Sequence, residues 1–103
     1  MEPDRNQHIY ERDNYTCQYC GISGADNFDA WNRAWFAIDH IKPKKHGGSN
    51  DDDNLVVACH MCNSVKAADM CTSIEEGKII IAKKNKVRKK WFEKFVLKSK
   101  SKN

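Results

Sequence analysis

Residues 38–66 read IDHIKPKKHGGSNDDDNLVVACHMCNSVK. Trp35 to Ile38 is aromatic and β-branched enough to predict a strand that ends at Asp39-His40. From Pro43 to Asn54 the turn formers Pro43, Gly47, Gly48 and the polar run Ser49 to Asn54 predict a loop. Leu55 to Ala58 predicts a second short strand. His60 to Met70 then lacks Gly and Pro, and a helix is expected to start near Cys62. The order is strand, loop, strand, helix.

The same stretch ends on Cys59-His60-Met61-Cys62, and a matching pair, Cys17-Gln18-Tyr19-Cys20, lies upstream. Two residues between cysteines let both sulfurs turn to one point, and two such knuckles complete a tetrahedral thiolate shell for zinc. The competing readings are disulfides, disfavoured where no export signal is seen, and a redox pair, which would not come twice without a parallel βαβ pattern. A metal staple also answers a deficit in the core. The chain has 103 residues but only 19 Leu, Ile, Val and Phe, and a domain so small and aliphatic-poor needs disulfides or a metal to fold. Cys71 is the odd thiol, expected to be a small semi-buried residue.

Between and beside the knuckles stand groups suited to phosphodiester hydrolysis, which needs a water, a base for its proton, and a cation on the phosphate. His40, with an ordinary pKa of about 6.5, suits the base. Asp39 and the amide oxygen of Asn63 suit Mg²⁺, a hard cation that keeps sites open for water and phosphate. Asn54 can fix the loop or the imidazole. Lys66, three residues after Asn63 on the expected helix, is placed to meet a phosphate.

The ordered series Cys-x-x-Cys, Asp-His-x-x-Pro, Gly-Gly, Asn-Leu, Cys-x-x-Cys-Asn-x-x-Lys over residues 17–66 resembles the HNH endonucleases of the ββα-metal group. The resemblance implies a small zinc-stapled α+β domain, with two antiparallel strands and a helix around one catalytic metal. It implies that His40 is the general base and that Asn54 orients the base and its loop. Asp39 and Asn63 would be the catalytic metal ligands, Asn63 standing where many members carry a second histidine. An Asp/Asn site favours Mg²⁺ or Mn²⁺ over zinc. Ala25 to Trp35 looks like an insertion relative to compact members.

Outward from this core, Arg5 to Asp13 predicts a short N-terminal helix, and Ser73-Ile74-Glu75-Glu76 predicts a capping box opening a last helix. On that helix Ile80, Val87, Trp91 and Phe95 share a face expected to pack on the core. Trp31, Trp35 and Trp91 could stack on bases, but in so aliphatic-poor a chain they are read as core. Of the remaining histidines, His46 is read as a solvated loop residue, His60 as exposed, and His8 has no identifiable partner. The basic segment 74–103 stands apart: from Lys83 to Lys102 there are ten basic residues and one acid, whereas residues 1–82 carry eight basic and thirteen acidic. Such asymmetry points to an acidic polymer; Lys83, Lys86, Lys90 and Lys94 share one helical sector, which serves either to track phosphates or simply as a solvated cationic end.

The expectation is therefore one domain over residues 1–103, a cytoplasmic endonuclease acting on duplex or branched DNA. Residues 1–103 hold no stretch of roughly 18 apolar residues that would span a membrane. A non-catalytic zinc-knuckle module that binds nucleic acid would keep the cysteines and basic end but not need Asp39, His40 and Asn63. An assembly adaptor would use residues 74–97 as a docking helix.

Overall fold

The computed structural model describes residues 5–98. In chain order its regular elements are α1 (Gln7–Arg12), α2 (Phe28–Ala34), β1 (Ala37–His40), β2 (Leu55–Ala58), α3 (His60–Lys66) and α4 (Ile74–Trp91), which runs on through a π-helical turn at Phe92–Leu97. Single turns of 3₁₀ helix at Lys44–His46 and Asp52–Asn54 shape the long loop between the strands.

The strands pair antiparallel, with Asp39 opposite Val56 and His40 opposite Leu55. All four residues of β2 are buried, and they divide by alternation. Leu55 and Val57 pack on Ile9 of α1. Val56 and Ala58 join a second cluster built from Cys17, Tyr19, Cys59, Cys62, Cys71 and Ile81. Pairing carries this division across to β1: Asp39 falls on the cysteine-rich face, His40 on the face toward α1.

The far edge of β2 is closed by side chains and one backbone N–H rather than by a third strand. The Asp13 carboxylate accepts from Val57 N at 2.9 Å, and Arg12 donates to Leu55 O at 2.6 Å and to Asp52 O at 2.8 Å. Gln18 N donates to Val57 O at 2.9 Å. Asp13 also holds the Arg12 guanidinium, whose pKa is raised mainly by that bond. His8, for which the sequence identifies no partner, meets Asp52 at 3.0 Å.

Element boundaries depart from the sequence reading where the backbone turns. Trp35 does not begin β1; it closes α2 in the left-handed region at φ 48°, and the strand starts two residues later. The apparent insertion is this helix, whose N-cap Asn27 accepts from Ala30 N at 2.8 Å. Helix α3 begins at His60 because Cys59 is its N-cap, the thiol taking the Cys62 N–H. It stops at Lys66, well short of Met70, because Ala67 turns to φ 53°.

At the start of α4, Ser73 Oγ accepts from Glu76 N at 3.1 Å, as a capping box requires. The Glu76 carboxylate reaches one residue further back, accepting from Thr72 N and Oγ1, both at 2.9 Å. These bonds hold its pKa below the ordinary value. Gly77 serves close packing: a Cβ there would sit 2.5 Å from Cε1 of Tyr19. Ile81 is buried, but beyond it the helix leaves the core. Val87, Trp91 and Phe95, expected to be packed, are 69%, 60% and 52% exposed. Trp31 and Trp35 are exposed too, so none of the three tryptophans is core. A projecting helix accounts for a radius of gyration of 15.8 Å, against about 13 Å for a compact chain of this length. Among the described residues, no helix is long and apolar enough to cross a membrane. The expected basic segment continues to 103, and its last residues, 99–103, lie outside the described residues.

Candidate functional site

The four knuckle cysteines converge. The Sγ atoms of Cys17, Cys20, Cys59 and Cys62 all lie within 4.8 Å of one another. Zinc with bonds of about 2.3 Å to sulfur sets tetrahedral edges of about 3.8 Å, and Cys20 Sγ stands 3.7 Å from Cys59 Sγ. Each knuckle turns one backbone N–H onto its first sulfur: Cys20 N to Cys17 at 3.4 Å and Cys62 N to Cys59 at 3.5 Å. Burial pushes the thiols up, Cys20 to about 11 and Cys62 further. At Cys17 burial is outweighed by backbone hydrogen bonds at Cys59, Cys20 and Tyr19, and its pKa falls. Such a cluster of thiols becomes four thiolates only around a cation. The donor set fits zinc. His60 lies outside the cluster and is exposed, whereas Cys71 is fully buried, its thiol donating to Ser73 O at 3.1 Å.

The first knuckle also reaches Asp39 on β1. Tyr19 lies between Cys17 and Cys20, and its hydroxyl donates to Asp39 Oδ2 at 2.6 Å. Burial, then the hydrogen bond to Asp39, drives the Tyr19 pKa far up, so this phenol is a fixed donor. The Lys66 ammonium pairs with the same Oδ2 at 3.2 Å and donates to His40 O at 3.1 Å. Asp39 Oδ1 takes no hydrogen bond among the described residues.

Lys66 thereby departs from expectation. Its side chain is fully buried, so it cannot offer its ammonium to a phosphate. It stands under the site as the counter-ion of Asp39. The reason is the direction of α3: residues 62 and 66 share the inward face, one turn apart, so a lysine spaced from Cys62 points to the core.

Asp39, His40 and Asn63 line one cleft of about 320 Å³, with Lys44, Lys45 and Pro43 on its wall. One carboxylate and one amide are hard oxygen donors, suited to a divalent cation such as Mg²⁺ or Mn²⁺. A second cleft, of about 440 Å³, meets the first at His40 and is lined also by Arg5, His8, Lys44, Asn50 and Asp52.

The imidazole of His40 is oriented by Asn50, whose Oδ1 is 2.8 Å from Nε2. An amide oxygen can only accept, so Nε2 carries a proton, and in the neutral imidazole that leaves the lone pair on Nδ1. Asn54 does not touch the imidazole. Its amide donates to Lys42 O and Ser49 O, and its Oδ1 accepts from Lys42 N at 2.9 Å. It ties together the two ends of the loop that carries Asn50. Gly48 is required beside it, since a Cβ there would collide with Lys42 O. His46, read as solvated, donates to Ala68 O at 3.0 Å and pins the loop to the end of α3.

Sequence reasoning missed Tyr19, Asn50, Lys44 and Lys45. The lysines had a visible signal, two consecutive cations between Pro43 and the Gly-Gly turn. Tyr19 and Asn50 had none, because their roles depend on contacts 20 and 10 residues away in sequence.

Set against known proteins, the chain has no match among characterised proteins or among solved structures. Among protein families, the HNH endonuclease model matches residues 17–69, just over half of the chain. That span opens on the first cysteine of the cluster and closes just past the helix that carries Asn63, so it contains both the thiolate cage and the Asp39, His40 and Asn63 cleft. The chain belongs to the HNH endonuclease family.

Proposed function

We propose that this chain is a metal-dependent DNA endonuclease with a structural zinc. The observation that carries the reading is the shared cleft: His40, with Nδ1 free to accept, lines the same space as Asp39 and Asn63. In this reading His40 Nδ1 takes a proton from the water that attacks the phosphorus in line. Asn50 holds the imidazole in the Nε2–H form throughout, and Asn54 holds the loop that presents Asn50. Asp39 and Asn63 would hold a divalent cation, Mg²⁺ or Mn²⁺, whose chemistry is charge stabilisation at the leaving 3′-oxygen and the phosphorane-like phosphate. Lys44 and Lys45, on the wall of that cleft, neutralise the scissile phosphate and its neighbours in the role expected of Lys66.

Nicking of supercoiled plasmid by the zinc-loaded chain, with and without added Mg²⁺ or Mn²⁺, tests the proposal. Conversion to open circles only with the added metal is the expected result. Binding without cleavage in every metal would overturn it in favour of a non-catalytic zinc module.

A further inference from the structure

The second half of α4 and its π-helical continuation expose an apolar stripe that the core does not use. Val87 and Trp91 are one helical turn apart, and the Trp91 ring touches Phe95 at 5.3 Å between centroids. All three are more than half exposed. Val87, Arg88, Trp91 and Phe92 border an open groove of about 500 Å³. By helical periodicity Lys83, Lys90 and Lys94 flank one side of the stripe and Arg88 the other. The Lys94 ammonium lies 5.3 Å from the Phe95 ring centroid. Residues 83–98 carry eight cations and one acid.

This charge decides what can cover the stripe. A second copy laid on the same face would set two rows of cations against each other, which disfavours self-pairing. The occupant must bring anionic charge together with flat apolar surface. Nucleic acid with unpaired bases does both: phosphates meet lysines, and exposed base faces stack on tryptophan and phenylalanine. A duplex, whose base faces are already stacked, offers only the phosphates.

The arm is also aimed by its root. Lys84 pairs with Asp69 at 2.8 Å and reaches Lys66 O at 3.5 Å, and Asn85 contacts Met61 of α3. Helix α3 carries Asn63, so a strand held on the arm is tethered to the element that lines the cleft.

We infer that the projecting C-terminal helix binds single-stranded nucleic acid through Trp91 and Phe95. The substrate of the site is then DNA with unpaired bases beside the cleaved bond, as in a branch or flap. The substrate statement rests on the nuclease reading; the binding statement does not.

The test is fluorescence anisotropy of the full zinc-loaded chain, without Mg²⁺ or Mn²⁺. The probes are labelled oligothymidylate and a labelled duplex of equal length, at matched salt. Trp91→Ala and Phe95→Ala should each weaken oligothymidylate binding about five- to a hundredfold. Trp91→Phe should restore most of the loss, and duplex binding should shift by less than about twofold. Equal losses on both probes would overturn the inference, as would no loss on the single strand. It would also fall if the wild type bound anionic vesicles or an acidic peptide but not oligothymidylate. Single-strand binding with no cleavage of either supercoiled plasmid or a flapped duplex in Mg²⁺ or Mn²⁺ would sink the nuclease reading and leave the arm standing.

Discussion

Tyr19, inside a zinc-type knuckle, donates its hydroxyl to Asp39 Oδ2 at 2.6 Å. The cysteine cage and the cleft lined by Asp39, His40 and Asn63 are therefore joined through one side chain. The hydroxyl and the Lys66 ammonium both occupy Asp39 Oδ2, and Asp39 lines the cleft. Partners behind a metal ligand commonly set its affinity as strongly as the ligand's own identity.

Tyr19→Phe tests this link. The ring still packs on Gly77, so the fold should survive with a loss of about 1.5–3 kcal/mol, as for a hydrogen bond to a charged group. The Mg²⁺ or Mn²⁺ concentration for half-maximal cleavage should rise about 10- to 100-fold. A metal titration of plasmid nicking measures it.

Lys66→Met distinguishes a buried counter-ion from a phosphate contact. Removing the ammonium leaves the buried Asp39 charge without its cation, which should cost about 3–5 kcal/mol. That is a large part of the about 5–15 kcal/mol that holds a domain folded. Urea melts of the zinc-loaded variant should show the loss. A phosphate-contacting lysine would instead leave the melt unchanged and weaken DNA binding.

Gly77→Ala should destabilise the domain although alanine is the better helix former by about 1 kcal/mol. The new methyl would sit 2.5 Å from the Tyr19 ring, and overpacking of this kind costs about 1–3 kcal/mol. The thermal midpoint should fall, and metal titration should show the Tyr19 to Asp39 bond disturbed as well.

Removal of zinc should unfold the chain. Metal analysis should give about one zinc per chain, and Cys59→Ser or a strong chelator should abolish the cooperative melt. Structural zinc is worth roughly 10–16 kcal/mol in small domains at neutral pH, more than this core can replace. A chelated chain that still melted cooperatively would show that the core folds without its staple.

The strand, loop, strand, helix order and the thiolate knuckles were legible in the sequence because their signals are local, whereas Asp39, His40 and Asn63 were read from their combination and from the HNH resemblance. Knuckle spacing, turn formers and the Ser73 cap each act within a few residues. What escaped was set by direction. Lys66 sits on the same turn pattern as Cys62, and periodicity alone does not say whether a lysine there is a solvent tip or a buried partner. Val87, Trp91 and Phe95 have the spacing of a core face, yet α4 outruns the core it packs on after Ile81. Asn50 lay in a run of polar turn formers with nothing to distinguish it from its neighbours.

The claim that the cleft is an active site is tested most directly by the cleavage rate of His40→Ala against wild type. Both are measured with excess zinc-loaded protein over supercoiled plasmid, at saturating Mg²⁺ or Mn²⁺. Nδ1 of His40 is the proposed proton acceptor, so the rate should fall about 10²- to 10⁴-fold. Zinc content, thermal midpoint and DNA affinity should stay at wild-type values. Cleavage by His40→Ala at the wild-type rate would contradict the account.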